Sequence, residues 1–174
     1  MLRLGEASHR VIETTFQENM NMSQRFDFGQ VAPEARRLML SFEKYVHASG
    51  LDRKLIELVK IRASQINHCA RCLDIHTKDA IALGESPQRL YCLTAWREAP
   101  FYSDAERAAL ALTEAVTLIA DHGVPDAVYE DARRQFSERQ FVDLLVAINA
   151  INSWNRMNVT AQSAFGDYQP GVHS

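Results

Sequence analysis

The segment Ser137 to Val159, SERQFVDLLVAINAINSWNRMNV, constrains the fold more than any other part of the chain. It has neither glycine nor proline. Ser137 and Gln140 form a capping box, in which each side chain serves a backbone N–H that the first helical turn leaves free. Phe141, Leu144, Leu145, Ile148, Ile151 and Met157 then recur at helical spacing. One long helix is predicted, apolar over more than one face. Such a helix needs burial on several sides, which a bundle of helices and an assembly of several copies can supply.

The rest of the chain repeats the signal. APEARRLMLSFEKYVHASG places Pro33 near a helix start and Gly50 at its end, with Leu38, Phe42, Tyr45 and Val46 at helical spacing. LDRKLIELVKIRASQIN begins at the N-cap Asp52, with Leu55, Ile56, Val59, Ala63 and Ile66 as its apolar face. CARCLDIHTKDAIALG stops at Gly84, and Ser86-Pro87 opens a helix expected to run to about Glu98. Ser103 and Glu106 make another capping box before AALALTEAVTLIA, with Gly123 as the stop, and Pro125 opens a short helix. Val11, Ile12 and Phe16 suggest a further helical face near the start. No strand-like alternation survives beyond a few residues. The expectation is an all-α bundle of six to eight helices, with residues 1–25 as an N-terminal extension, 26–166 as the helical domain and 167–174 as a C-terminal tail. DRKLIELV (52–59) echoes ERQFVDLL (138–145), which fits an internal helical repeat and equally fits two helices under similar packing demands.

Composition narrows the function. With 174 residues, 47% of them hydrophobic, the chain supports one domain with a real core. A net charge of −3 and a pI near 6.1 give no basic surface for nucleic acid. No apolar run approaches the ~20 residues of a membrane helix. The N-terminal stretch carries acids and no apolar signal region, so a cytoplasmic location is expected. Three cysteines do not make a secreted disulfide framework.

Two of them stand in NHCARCLDIH, Asn67 to His76. On a helix, Cys69, Cys72 and His76 share one face, and the pair falls within disulfide reach. Cys69 would sit at the helix N-terminus, where unpaired N–H groups favour a thiolate. His76, one turn beyond Cys72, is placed to take its proton. Glu57, twelve residues before Cys69, could reach His76 or the thiols if the two helices pack as a hairpin. Three readings remain open: a redox pair with a Glu/His relay, an inert core pair, or a metal site of Cys69, Cys72 and His76 completed by His68 or Glu57. Cys92 has no partner nearby and is expected to pack among Leu93 and Trp96.

Glu57 followed by NHCARCLDIH resembles the signature of the alkyl hydroperoxidase D-like proteins of the carboxymuconolactone decarboxylase superfamily. The flanks LIELVKIRASQIN, TKDAIALGES, AWRE and AINAINSWNR agree, and the resemblance spans Phe26 to Phe165. It implies an all-α homo-oligomer, commonly a trimer or hexamer, acting as a thiol peroxidase without haem, metal or other cofactor. By resemblance Cys72 is the attacking cysteine, Cys69 its resolving partner, and His76 and Glu57 the proton relay. A hydroperoxide is the implied substrate and an external dithiol, of lipoyl type in the best-studied branch, the implied reductant. That branch has a histidine between the cysteines where this sequence has Arg71. The superfamily's true decarboxylases lack the cysteine pair. A decarboxylase-type acid–base enzyme and a non-catalytic redox-sensing oligomer are therefore the alternative functions.

Overall fold

A computed structural model describes residues 24–171. The face suggested by Val11, Ile12 and Phe16 lies outside them. Among the described residues the chain is all-α, with nine α-helices and one 3-10 turn. They are α1 (Phe28–Val31), α2 (Pro33–Ala48), α3 (Arg53–Ile66), α4 (Ala70–Ala82), α5 (Pro87–Tyr91), α6 (Asp104–Thr117), α7 (Ile119–His122), α8 (Asp126–Gln135) and α9 (Glu138–Ala161), with the 3-10 turn at Leu93–Ala95. Six are of ten residues or more, and α1, α5 and α7 are about one turn each. No helix among the described residues is long and apolar enough to cross a membrane.

The centre of the bundle is α3, which packs against α4, α6 and α9. The sequence suggested one apolar face for it. The helix instead buries residues around its whole circumference and contributes to all three apolar clusters. Leu55, Ile56 and Val59 join Leu112, Leu144 and Ile148. Leu58 and Ile61 join Leu93, Trp96 and Leu110. Ala63 joins Ile151 and the two cysteines. The long helix α9 finds its several sides of burial within the same chain, against α2, α3 and α6.

Both capping boxes form, at Ser103/Glu106 and Ser137/Gln140. Asp52 caps α3 by accepting from the Leu55 N–H at 2.9 Å. The two echoing segments open α3 and α9, and each turns an acid inward, Glu57 and Asp143.

Three local expectations are corrected. The helix opened by Pro87 ends at Tyr91 and does not reach Glu98. The connecting chain makes isolated turn bonds, such as Ala99 N–H to the Ala95 carbonyl, and Arg107 ties it by donating to the carbonyls of Trp96, Arg97, Ala99 and Tyr102. Pro100 also disfavours helical geometry at Ala99. The helix before Gly123 is broken at Leu118, where φ −101° and ψ 30° end α6. On α2, Val46 is buried, but Leu38 is 69% and Phe42 49% exposed, so most of that apolar stripe faces outward.

A polar cluster ties α9 to the end of α3. Asn67 Nδ2 donates to Asn152 Oδ1 and Asn155 Oδ1, both at 2.9 Å. Asn155 Nδ2 donates to Ser64 Oγ at 2.9 Å, and Asn152 Nδ2 to Thr117 Oγ1 at 3.0 Å. Asn155 is fully buried, and its removal leaves Asn67 and Ser64 each short of a partner. Asn155→Ala is expected to cost about 2–3 kcal/mol and to lower Tm by roughly 5–10 °C, checked by thermal unfolding.

Candidate active site

The turn between α3 and α4 sets the site. His68 adopts φ 54°, the left-handed region, directly after the C-cap Asn67. The Cys69 N–H donates back to the Ser64 carbonyl at 3.0 Å and the His68 N–H to Gln65 at 3.4 Å, a Schellman closure of α3. The chain therefore reverses within two residues, and α4 starts with Cys69 as its N-cap. The Cys72 N–H donates to Cys69 Sγ at 3.3 Å, so the sulfur takes the place usually held by a Ser or Asp oxygen.

Cys69 and Cys72 are joined as a disulfide with their Cα atoms 5.3 Å apart. Both are buried, packed with Ala63, Ile151 and Trp154. Asn158 of α9 donates its side-chain N–H to Cys72 Sγ at 3.4 Å. A cleft of about 240 Å³ opens beside the pair, reaching Cys69 and walled by His68, Arg71, Val159 and Phe165. Arg71 donates to the Ala164 carbonyl on the far wall.

His76 and Glu57 meet as the hairpin requires, with His76 Nδ1 2.8 Å from Glu57 Oε2. From the sequence His76 is also placed to hydrogen-bond Cys72 or to take its proton. In this disulfide state its described bond is to Glu57, and the side-chain donor on Cys72 is Asn158. Glu57 is 5% exposed. Burial works to raise its carboxyl, but His76, Lys60 and His47 outweigh it and hold the group below the usual carboxylate value. Lys60 Nζ lies 4.0 Å from Glu57 Oε1.

Among the described residues, the ligand-type atoms that gather within 4.8 Å belong to Glu57, His76 and Asp79, without the cysteines. There Glu57 and His76 face each other, Asp79 accepts from the Tyr168 hydroxyl at 2.7 Å, and the Lys60 ammonium opposes a further cation. Cys92 is half-buried against the cluster of Leu93 and Trp96.

Two features escaped the sequence reading. Asn158 lies at the far end of α9, 86 residues from Cys72, and no local spacing links them. The segment after α9 runs along α4: the Gly166 N–H donates to Asp74, Lys78 donates to the carbonyls of Gly166 and Tyr168, and Tyr168 bonds Asp79. The expected tail boundary at 166/167 falls inside this strap.

A helical hairpin that carries a cysteine pair at one helix start, with a buried Glu–His pair beside it, on an all-α bundle, defines an alkyl hydroperoxidase D-like protein. The chain belongs to the carboxymuconolactone decarboxylase family, whose sequence profile matches residues 33–115. It is 50% identical over 138 residues to the uncharacterized protein YdfG of Bacillus subtilis (strain 168), covering 79% of this chain and 94% of that one. A crystal structure of an Agrobacterium tumefaciens protein of unknown function, proposed as the antioxidant defence protein AhpD, superposes with TM-score 0.81 at 41% identity, over 84% of this chain and 100% of that one. The debrominase Bmp8 shares the fold with TM-score 0.71 at 20% identity, over 78% and 73% of the two chains.

The acid behaviour of Glu57 is testable. Its folded carboxyl lies below the ordinary 4.5, so the unfolded chain binds the extra proton first. The stabilisation is fully present above pH 4.5 and is lost as pH falls through the lower folded value. Acid unfolding of Glu57→Gln should be less steep than wild type as pH falls from 4.5 through that lower value, as followed by circular dichroism at fixed temperature.

Proposed function

We propose that this protein is a thiol-dependent peroxidase that reduces hydroperoxides through the Cys69–Cys72 pair. The observation that carries the reading is the closed pair at the start of α4, one helix away from a carboxylate that orients the only nearby histidine of that helix. In the reduced enzyme the Cys72 thiolate attacks the distal oxygen of the hydroperoxide. The O–O bond breaks, the alcohol or water leaves with a proton, and Cys72 becomes a sulfenic acid. Cys69 displaces hydroxide from it, forming the disulfide and water. An external dithiol then takes the oxidising equivalents and restores both thiols. Glu57 and His76 handle the protons.

The choice of Cys72 as attacker weighs two donors. The helix N-terminus serves Cys69 through one backbone N–H, an effect of about 0.3–1 kcal/mol in exposed settings. Cys72 has Asn158 as donor and lies a turn from His76, a general base once the disulfide opens. Cys72→Ser should abolish the peroxide reaction. Cys69→Ser should react once and stall as a sulfenic acid at Cys72, trapped by a dimedone probe and placed by mass spectrometry. Glu57→Gln should slow the first step by about 10²-fold. Trapping at Cys69, with Cys72→Ser still reactive, would reverse the roles. Activity that survives loss of both cysteines would favour a decarboxylase-type acid–base enzyme. Disulfide formation without sustained turnover on an added dithiol would favour a redox sensor.

The proposal includes a cytoplasmic setting, with no nucleic acid or membrane partner, and self-assembly as a trimer or hexamer. The outward stripe of α2, with Leu38 and Phe42, is the surface that supports association. Light scattering at micromolar concentration should give a multiple of 19.7 kDa, and Leu38→Glu with Phe42→Glu should reduce it. A wild-type monomer would contradict the assembly.

A further inference from the structure

Lys60 stands on α3 one turn beyond Glu57 and is 2% exposed. An ammonium so enclosed is costly unless it is paired. Its Nζ donates to Glu43 Oε2 of α2 at 2.6 Å and lies 4.0 Å from Glu57 Oε1. Glu57 turns its other oxygen to His76 Nδ1 at 2.8 Å. Charges thus alternate from Glu43 through Lys60 and Glu57 to His76, across three helices. Among the described residues Glu43 Oε1 is buried without a hydrogen-bond partner, and the Glu43 carboxylate is anchored through its Lys60 contact.

We propose that Lys60 is a positioning residue: its buried ammonium, anchored by Glu43, holds Glu57 as the carboxylate that His76 needs in order to act as a base. The inference rests on the peroxidase reading for its purpose and on the geometry for its content. The reason is proton counting on the Glu57–His76 pair. With one proton, the pair is a carboxylate accepting from Nδ1–H, and Nε2 is free to take another. With two protons, whichever group holds the second, Nε2 already carries hydrogen and the base is gone. Burial pushes the pair toward the second proton, and the ammonium beside Glu57 pushes against it. Glu43 sets the size of that push, because it partly neutralises Lys60.

The other groups facing this centre are His47 on α2, Asp79 on α4 and Tyr168 on the strap. Burial and the charge of Lys60 press His47 below the ordinary histidine value, so the ammonium acts on its other neighbour in the same sense. Asp79 accepts from the Tyr168 hydroxyl, and burial with that bond raises the phenol.

Lys60→Met and Glu43→Gln should therefore shift the pair in opposite directions. Removing the ammonium leaves the buried Glu57 and the partly buried Glu43 without the cation between them and moves the pair's titration up by about one pH unit or more. Removing the Glu43 charge leaves Lys60 less neutralised and moves it down. Two readouts apply to the full-length reduced protein. Carbon-13 and nitrogen-15 NMR of Glu57 and His76 follow the titration directly. The rate constant for a single reaction with hydrogen peroxide, measured against pH, should show its acid limb displaced the same way, with Lys60→Met approaching wild type at high pH. Shifts in the same direction, no shift, or an equal loss of rate at every pH would overturn the proposal. If Lys60→Met does not fold, Glu43→Gln decides: no downward shift overturns it. If the wild type fails to consume peroxide, the peroxidase reading falls and the NMR titration still decides the role of Lys60.

Discussion

A helix enclosed on every side must compensate its own polar groups, and α3 carries three that cannot reach water: Glu57, Lys60 and Ser64. Each unpaired buried polar group costs on the order of 1–3 kcal/mol, and more if charged. Each therefore dictates a partner from a different helix. Lys60 requires Glu43 of α2, Glu57 requires His76 of α4, and Ser64 meets Asn155 of α9. These contacts are directional where apolar packing is not. They set the rotation of α2, α4 and α9 about the central helix, and the candidate active site is a consequence of that arrangement. An ion pair buried this deeply is weak evidence for stability, since apolar residues of equal volume commonly do as well. Its presence on the helix that positions the cysteines accords with a chemical use.

The same helix fixes the cysteines through its end. The Schellman closure at Asn67–His68 and the two asparagines of α9 that receive Asn67 leave the start of α4 no freedom to turn. Cys69 and Cys72 can then close and open on a rigid turn of helix. From the other side the strap after α9 holds Arg71, Asp74, Lys78 and Asp79 of α4. The polar face of α4, which in an isolated helix would be solvated, is thereby tied to the last part of the chain. Arg71 is bound to a carbonyl of that strap.

Much of this was legible in the sequence because it is local. Capping boxes, Asp52, Gly84 and the Cys69–Cys72–His76 face depend on residues a few positions apart, and the structure has each in place. The Glu57–His76 bond was legible too, since a hairpin of two adjacent helices brings the positions together. What failed was the environment of each helix. α3 looked amphipathic because its buried Glu57 and Lys60 read as a polar face, whereas they are paired inside. α2 looked like a core helix because its apolar spacing is regular, yet most of that face is turned outward. Asn158 was invisible because its link to Cys72 is made by tertiary packing alone. The strap was invisible because, apart from the Tyr168 hydroxyl, it bonds α4 through backbone groups, which carry no sequence signature.

The central claim is that Cys69 and Cys72 act together on a hydroperoxide. It is tested most directly by adding one equivalent of hydrogen peroxide to reduced, metal-free protein, counting thiols and mapping the crosslink by mass spectrometry. The account predicts the loss of two thiols per chain, a single Cys69–Cys72 peptide and an unmodified Cys92. No loss of thiols, or an oxidised Cys92 with the pair intact, would contradict it.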